Sequence, residues 1–220
     1  MVWVKICGTT NLDDAQAAVE AGADALGFVF AQSPRRISPS EAKRIIAALD
    51  GKAETVGVFV NQRPKLILET AAKAGLTGVQ LHGEEAPEFA RELRNGAHAA
   101  GIKLRIYKAV AMKRVTAGDF DLALPRNLIS AYVLDSGSRV KRGGTGRKFD
   151  WKEAAPLVRF VGRRFDLIIA GGLNPENVVK AIRLFHPWGV DVVSGVESEP
   201  GRKDHEKVRA FVKAAKGVDL

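Results

Sequence analysis

Cys7 is the single cysteine of this chain and its most chemically versatile side chain. It cannot form an internal disulfide, and a lone thiol suits a reducing compartment. Two residues before it stands Lys5. A cation there would draw a thiol pKa from about 8.5 towards neutrality and leave a thiolate able to take a proton. A small buried hydrophobe is the other reading of such a cysteine. Asp135 closes the apolar run Ala131-Tyr132-Val133-Leu134. Partial burial would raise its pKa and suit it to donate a proton, whereas a plain loop cap would need no special environment. A thiol and a carboxyl on opposite walls of one pocket make a base and an acid. Arg35 has the planar fork that grips a carboxylate, and its neighbour Arg36 reads as a surface charge. His82, followed by Gly83, is a further substrate-binding candidate.

Three glycine stretches point to an anion: Gly143-Gly144-Thr145-Gly146, Gly171-Gly172 and Ser194-Gly195. Without a Cβ, backbone N–H groups can close on a phosphate, and a helix N-terminus behind them adds about half a positive charge. Any one of these stretches alone reads as an ordinary turn. Their joint placement after successive strands argues for phosphate.

These residues need a frame. Strand-length apolar segments fall at 2–7, 25–30, 55–60, 79–82, 104–110, 131–135, 166–170 and 190–194. Stretches with helical period separate most of them: 11–21, 64–74, 87–94, 151–161, 178–185 behind Asn174-Pro175-Glu176, and one from Asp204 to about 215. Another opens on the capping box Ser38-Pro39-Ser40-Glu41, with proline at its first turn. Residues 112–127 carry a poor stripe broken by Gly118 and read as a short or irregular helix. Strict alternation implies a parallel sheet. Eight units in 220 residues match a lean (β/α)₈ TIM barrel of the phosphate-binding type, as one domain. A doubly wound sheet usually stops at five or six strands.

In such a barrel every candidate above lies at the C-terminal rim, where sites are built. Period two turns Val2, Val4 and Ile6 towards the helices, and Trp3, Lys5 and Cys7 inwards. An inward Lys5 needs a counter-charge. The eighth strand closes against the first and carries Asp191, so Lys5 and Asp191 are expected to pair as structural support.

Lys and Arg outnumber Asp and Glu by 34 to 25, a net charge of +9. The cations are spread along the chain without interleaved aromatics. They read as a solvated surface with a hint of an anionic ligand, and nucleic acid is not an expected partner. Apolar residues at 46% and charged ones at 27% exclude a disordered chain. No apolar run is long enough for a bilayer, and Lys5 interrupts the N-terminal apolar stretch, so neither a membrane anchor nor a secretory leader is expected. Four scattered histidines lack the spacing of a metal site.

Seven motifs, in order from residue 4 to about 204, resemble one family. They are Val4-Lys5-Ile6-Cys7-Gly8; Gly27-Phe28-Val29-Phe30 with Ser33-Pro34-Arg35; Gly57-Val58-Phe59; Val79-Gln80-Leu81-His82-Gly83; Gly143-Gly144-Thr145-Gly146 with Phe149-Asp150-Trp151; Ala170-Gly171-Gly172-Leu173-Asn174-Pro175-Glu176-Asn177; and Val190-Asp191-Val192-Val193-Ser194-Gly195-Val196-Glu197, ending in Gly201-Arg202-Lys203-Asp204. The set closely resembles the phosphoribosylanthranilate isomerase family. Thr9, where that family more often has an aliphatic residue, and a longer stretch over 95–127 depart from its pattern without touching the matched positions.

The resemblance implies a cytoplasmic enzyme of tryptophan biosynthesis. It would convert N-(5-phosphoribosyl)anthranilate to 1-(2-carboxyphenylamino)-1-deoxyribulose 5-phosphate by an Amadori rearrangement, as a monomer or homodimer. It places the general base at Cys7, the general acid at Asp135 and the contact to the anthranilate carboxylate at Arg35. No metal, nucleotide or flavin is expected, because the substrate nitrogen is its own electron sink. Another phosphate-binding barrel, such as an indole-glycerol-phosphate synthase, is the alternative. A lysine-and-glutamate site would mark it, and here Cys7 holds the end of strand one. A non-catalytic polyanion binder, suggested by the +9 charge, would need a contiguous basic stripe.

Overall fold

Asn11, Ser38 and Asp204 each start a helix through a side-chain oxygen. Asn11 accepts from the Asp14 amide at 2.9 Å and opens Leu12–Glu20. Ser38 and Glu41 close a reciprocal capping box, with Pro39 at the first position of Pro39–Leu49. Asp204 accepts from the Glu206 and Lys207 amides at the head of His205–Lys216. The helices Pro64–Ala74, Trp151–Gly162 and Val178–Phe185 follow the sequence reading closely. The helix expected over 87–94 continues to Ala99, where Gly101 at φ +67° lies just beyond its end.

The computed structural model describes residues 1–111, 128–135 and 151–219. The irregular helix expected over 112–127 and the stretch Gly143-Gly144-Thr145-Gly146 lie outside the described residues. Eight parallel strands close into a barrel in chain order: β1 (Trp3–Cys7), β2 (Ala25–Val29), β3 (Glu54–Phe59), β4 (Gly78–Leu81), β5 (Arg105–Ala111), β6 (Ala131–Asp135), β7 (Leu167–Ala170) and β8 (Gly189–Val192). A short two-stranded hairpin, β9 (Glu197–Glu199) with β10 (Arg202–Lys203), follows β8.

Two apolar clusters divide the labour. The larger one, with Val4, Ile6, Leu26 and Phe28, lies between strands and helices. The smaller one fills the barrel with Ala25, Val56, Ala109, Ala131, Val133, Ile168 and Ala170 around Tyr107. Its alanines leave room for long polar side chains from neighbouring strands. Trp3 stacks on Trp188 at 5.0 Å between ring centres and on Tyr107 at 6.0 Å, which closes the N-terminal end. Among the described residues, the opposite end remains open.

Candidate active site

Cys7 points into the open end because the alternation of β1 sends Val4 and Ile6 to the helix layer. Gly27 is its register partner on β2. Any Cβ on Gly27 would overlap the Cys7 sulfur, so glycine at this position gives the thiol its space. One layer below, Lys5 Nζ lies 2.8 Å from Asp191 Oδ2, both side chains buried, across the β1–β8 seam. Burial by itself depresses an ammonium. Asp191 and the Cys7 sulfur outweigh that, and Lys5 sits above the ordinary lysine value.

The thiol does not behave as a neighbouring cation alone would suggest. Burial is the largest influence and pushes the Cys7 pKa up; Lys5 and Lys203 pull it down, and Asp191 pushes it up again. The outcome is a thiol above its usual range, opposite to the lowering expected from Lys5. The reason is that Lys5 arrives with Asp191, which cancels most of its field, while nothing cancels the desolvation.

Asp135 ends β6, three strands from β1 by way of β7 and β8. It is partly buried, with its Oδ2 3.5 Å from His82 Nε2. The other ring nitrogen of His82 is 2.8 Å from Gln80 Nε2. Either ring tautomer satisfies this contact, because the Gln80 amide can present its nitrogen or its oxygen to the ring. His82 stands on a loop braced from below by Glu85. That carboxylate accepts from the Asn61 and Gly83 amides and from Lys108 Nζ at 2.7 Å.

Arg35 forks a carboxylate, but a protein one: Nε and Nη2 donate to Glu197 at 2.7 and 2.5 Å. Two of five N–H groups are thereby used, and the edge shared by Nη1 and Nη2 remains for a second carboxylate. Arg36, by contrast, is exposed.

These groups converge. A cavity of about 300 Å³ at the C-terminal rim is bounded by Cys7, Arg35, His82, Asp135, Gly171, Gly172 and Ser194. Gly171 and Gly172 hold φ +83° and +69°, a left-handed conformation that glycine adopts without strain. Their loop is pinned by Asn174 and Asn177, each accepting from the other's backbone amide at 2.9 Å. Gly195 packs against the Leu173 carbonyl so closely that no Cβ would fit, which presses the turns after β7 and β8 together. Among the described residues no group of three His, Cys, Asp or Glu converges as a metal site.

Gln80, Glu197 and Lys203 were given no role by sequence reasoning. Glu197 and Lys203 flank the turn at Gly201 with opposite charge, six residues apart. That pairing was the available signal. Gln80 could have been found as a polar residue inside an otherwise apolar strand.

The family model for N-(5'-phosphoribosyl)anthranilate (PRA) isomerase matches residues 4–214. The chain belongs to this family. The N-(5'-phosphoribosyl)anthranilate isomerase of Pelobacter propionicus is 45% identical over 217 residues, covering 98% of this chain and 96% of that one. The crystal structure of phosphoribosyl anthranilate isomerase from Thermotoga maritima superposes with a TM-score of 0.82 at 44% identity, covering 99% of this chain and 100% of that one. A structure of the same isomerase family in complex with reduced 1-(o-carboxyphenylamino)-1-deoxyribulose 5-phosphate gives 0.80 at 43% identity, with the same coverage. An indole-glycerol-phosphate synthase is therefore not favoured. Among the described residues, no helix is long and apolar enough to cross a membrane.

Proposed function

We propose that this chain isomerises N-(5'-phosphoribosyl)anthranilate to 1-(2-carboxyphenylamino)-1-deoxyribulose 5-phosphate in tryptophan biosynthesis, with Cys7 as base and Asp135 as acid. The observation that carries the reading is one cavity touched at once by the Cys7 thiol, the Asp135 carboxyl, the Arg35 guanidinium and the paired turns after β7 and β8.

The reaction needs each of these. The furanose C–O bond breaks only as its ring oxygen receives a proton, which Asp135 supplies. The resulting Schiff base acidifies the C2 proton. The Cys7 thiolate removes that proton, the electrons move into the C1–nitrogen system, and the enolamine tautomerises to the ketone. The free Nη1–Nη2 edge of Arg35 takes the anthranilate carboxylate. Gly171, Gly172, Ser194 and Gly195 take the phosphate at the other end, and this two-ended grip holds C2 beside the sulfur. His82, whose Nε2 lies beside the Asp135 carboxyl, orients it. Lys5 and Asp191 support the floor beneath Cys7. The substrate is a small phosphorylated metabolite, and the enzyme works in the cytoplasm as a monomer or homodimer.

The test is turnover of freshly generated phosphoribosylanthranilate, followed by anthranilate fluorescence. Cys7→Ser and Asp135→Asn should each lower kcat by about 10²–10⁴-fold with little change in KM. Near wild-type turnover in either variant removes that residue from its role.

A further inference from the structure

Cys7 sits between two buried ionic groups, of which only Lys5–Asp191 lies below it. The other is built from the hairpin after β8. The Lys203 ammonium, fully buried, donates to the backbone carbonyl of Cys7 at 2.6 Å, to that of Val193 at 3.3 Å and to Glu197 Oε1 at 3.2 Å. The Lys203 amide is itself fixed by Asp14 at 2.8 Å. Glu197 then grips Arg35, while its Oε1 also accepts from the Gly201 amide at 3.2 Å. The Arg35 stem lies across Gly8, the residue after Cys7. One ammonium thus ties together the end of β1, the end of β8 and the anchor of Arg35.

Charged groups face the Cys7 sulfur region from several elements. Lys5 comes from β1, Asp191 from β8, Arg35 from the loop after β2, and Glu197 and Lys203 from the hairpin; His82 and Asp135 border the same cavity from β4 and β6. Among the described residues, the two ion-paired groups and Arg35 set three cations (Lys5, Arg35, Lys203) against two anions (Asp191, Glu197), an excess of one positive charge. A thiolate cancels it. So does a bound carboxylate.

We propose that Lys203 and Glu197 are positioning residues that set the proton affinity of Cys7 and hold Arg35 for the substrate carboxylate. The charge excess is the working quantity. Removing Lys203's charge leaves the pocket neutral and makes thiolate formation harder. Removing Glu197's makes thiolate formation easier for as long as Lys203, still held by the Cys7 and Val193 carbonyls, keeps its proton. Each change should move the thiol pKa by about one unit, a tenfold change in thiolate below the pKa. The proposal rests on the reading of Cys7 as the base, yet its readout does not depend on that reading.

The experiment titrates the thiolate by its ultraviolet absorbance, clean here because Cys7 is the chain's single cysteine. Lys203→Met should shift the titration up and move the acid limb of kcat to higher pH by the same amount. Glu197→Gln, isosteric with the carboxylate, should shift the titration down, and should raise KM several-fold because the Arg35 fork is anchored more weakly. Mere loosening of the fold would admit water and bring both variants down towards the ordinary thiol value of about 8.5. An unmoved or lowered titration in Lys203→Met overturns the proposal. If that variant does not fold, a Glu197→Gln titration at or above the wild-type value overturns it. Should Cys7→Ser retain activity while both shifts appear, the pocket electrostatics stand and the assignment of the base fails. If Cys7→Ser is inactive and neither shift appears, the base stands and the electrostatic proposal fails.

Discussion

Asp191→Asn tests the electrostatic floor of the site. At 2.8 Å the Lys5–Asp191 pair is buried on both sides, and its gross Coulomb attraction at an effective dielectric of about 20 is about 6 kcal/mol. The measurable loss is smaller, because a stranded ammonium sheds its proton before it tolerates burial unpaired. From the ordinary lysine value of 10.5, neutralising Lys5 at neutral pH costs about 3.5 units at about 1.4 kcal/mol each, a ceiling of about 5 kcal/mol. The expected loss is therefore about 3–5 kcal/mol, in the range for breaking one side of a buried pair. It should also depend on pH with a definite sign. In the variant the unfolded chain binds a proton at Lys5 that the folded chain does not, so stability rises with pH. In the wild type Lys5 is held above its ordinary value; its contribution is fully present below that value and is lost only as pH rises through the higher folded pKa. The gap between the two proteins should narrow by about 1.4 kcal/mol for each pH unit above neutrality. Chemical denaturation followed by circular dichroism, repeated at several pH values, measures it. The double variant Lys5→Met with Asp191→Leu should recover most of the loss. A gap below about 1 kcal/mol, or one that stays constant with pH, refutes the reasoning.

Gly27→Ala puts a methyl group where the Cys7 sulfur lies. It should destabilise the fold by about 1–3 kcal/mol and lower kcat while leaving phosphate affinity near normal; unchanged turnover would mean that the sulfur has room to spare. Glu85→Gln weakens the brace under the His82 loop and leaves Lys108 without its carboxylate, and should cost about 3 kcal/mol at neutral pH by thermal or denaturant melting. Burial alone would raise the Glu85 pKa, but Lys108 and the Asn61 amide outweigh it and hold it below 4.5. Its stabilisation is present above that value and disappears as pH falls through the lower folded pKa. The wild-type advantage over Glu85→Gln should therefore close in acid, and an advantage that survives full acidification contradicts the assignment.

Much of this protein was legible in one dimension. Alternating strand and helix patterns led to the barrel, and the Ser38–Glu41 box and Asp204 marked two helix starts because capping is a local contact within four residues. Period two in β1 was enough to turn Lys5 and Cys7 inwards, and barrel closure was enough to name Asp191 as the partner. Both inferences need only pleat geometry and neighbour order. The direction of the Cys7 pKa was not legible, since it is the difference between a desolvation and several opposed fields, each set by distances that only packing determines. Nor was the fate of Arg35: its fork meets Glu197 across 162 residues of chain. Lys203 reaches the Cys7 carbonyl across 196. Residue type and local period can say which groups face the cavity, but which charge stands beside which, and how much water is left among them, is decided only when distant segments are brought to the same rim.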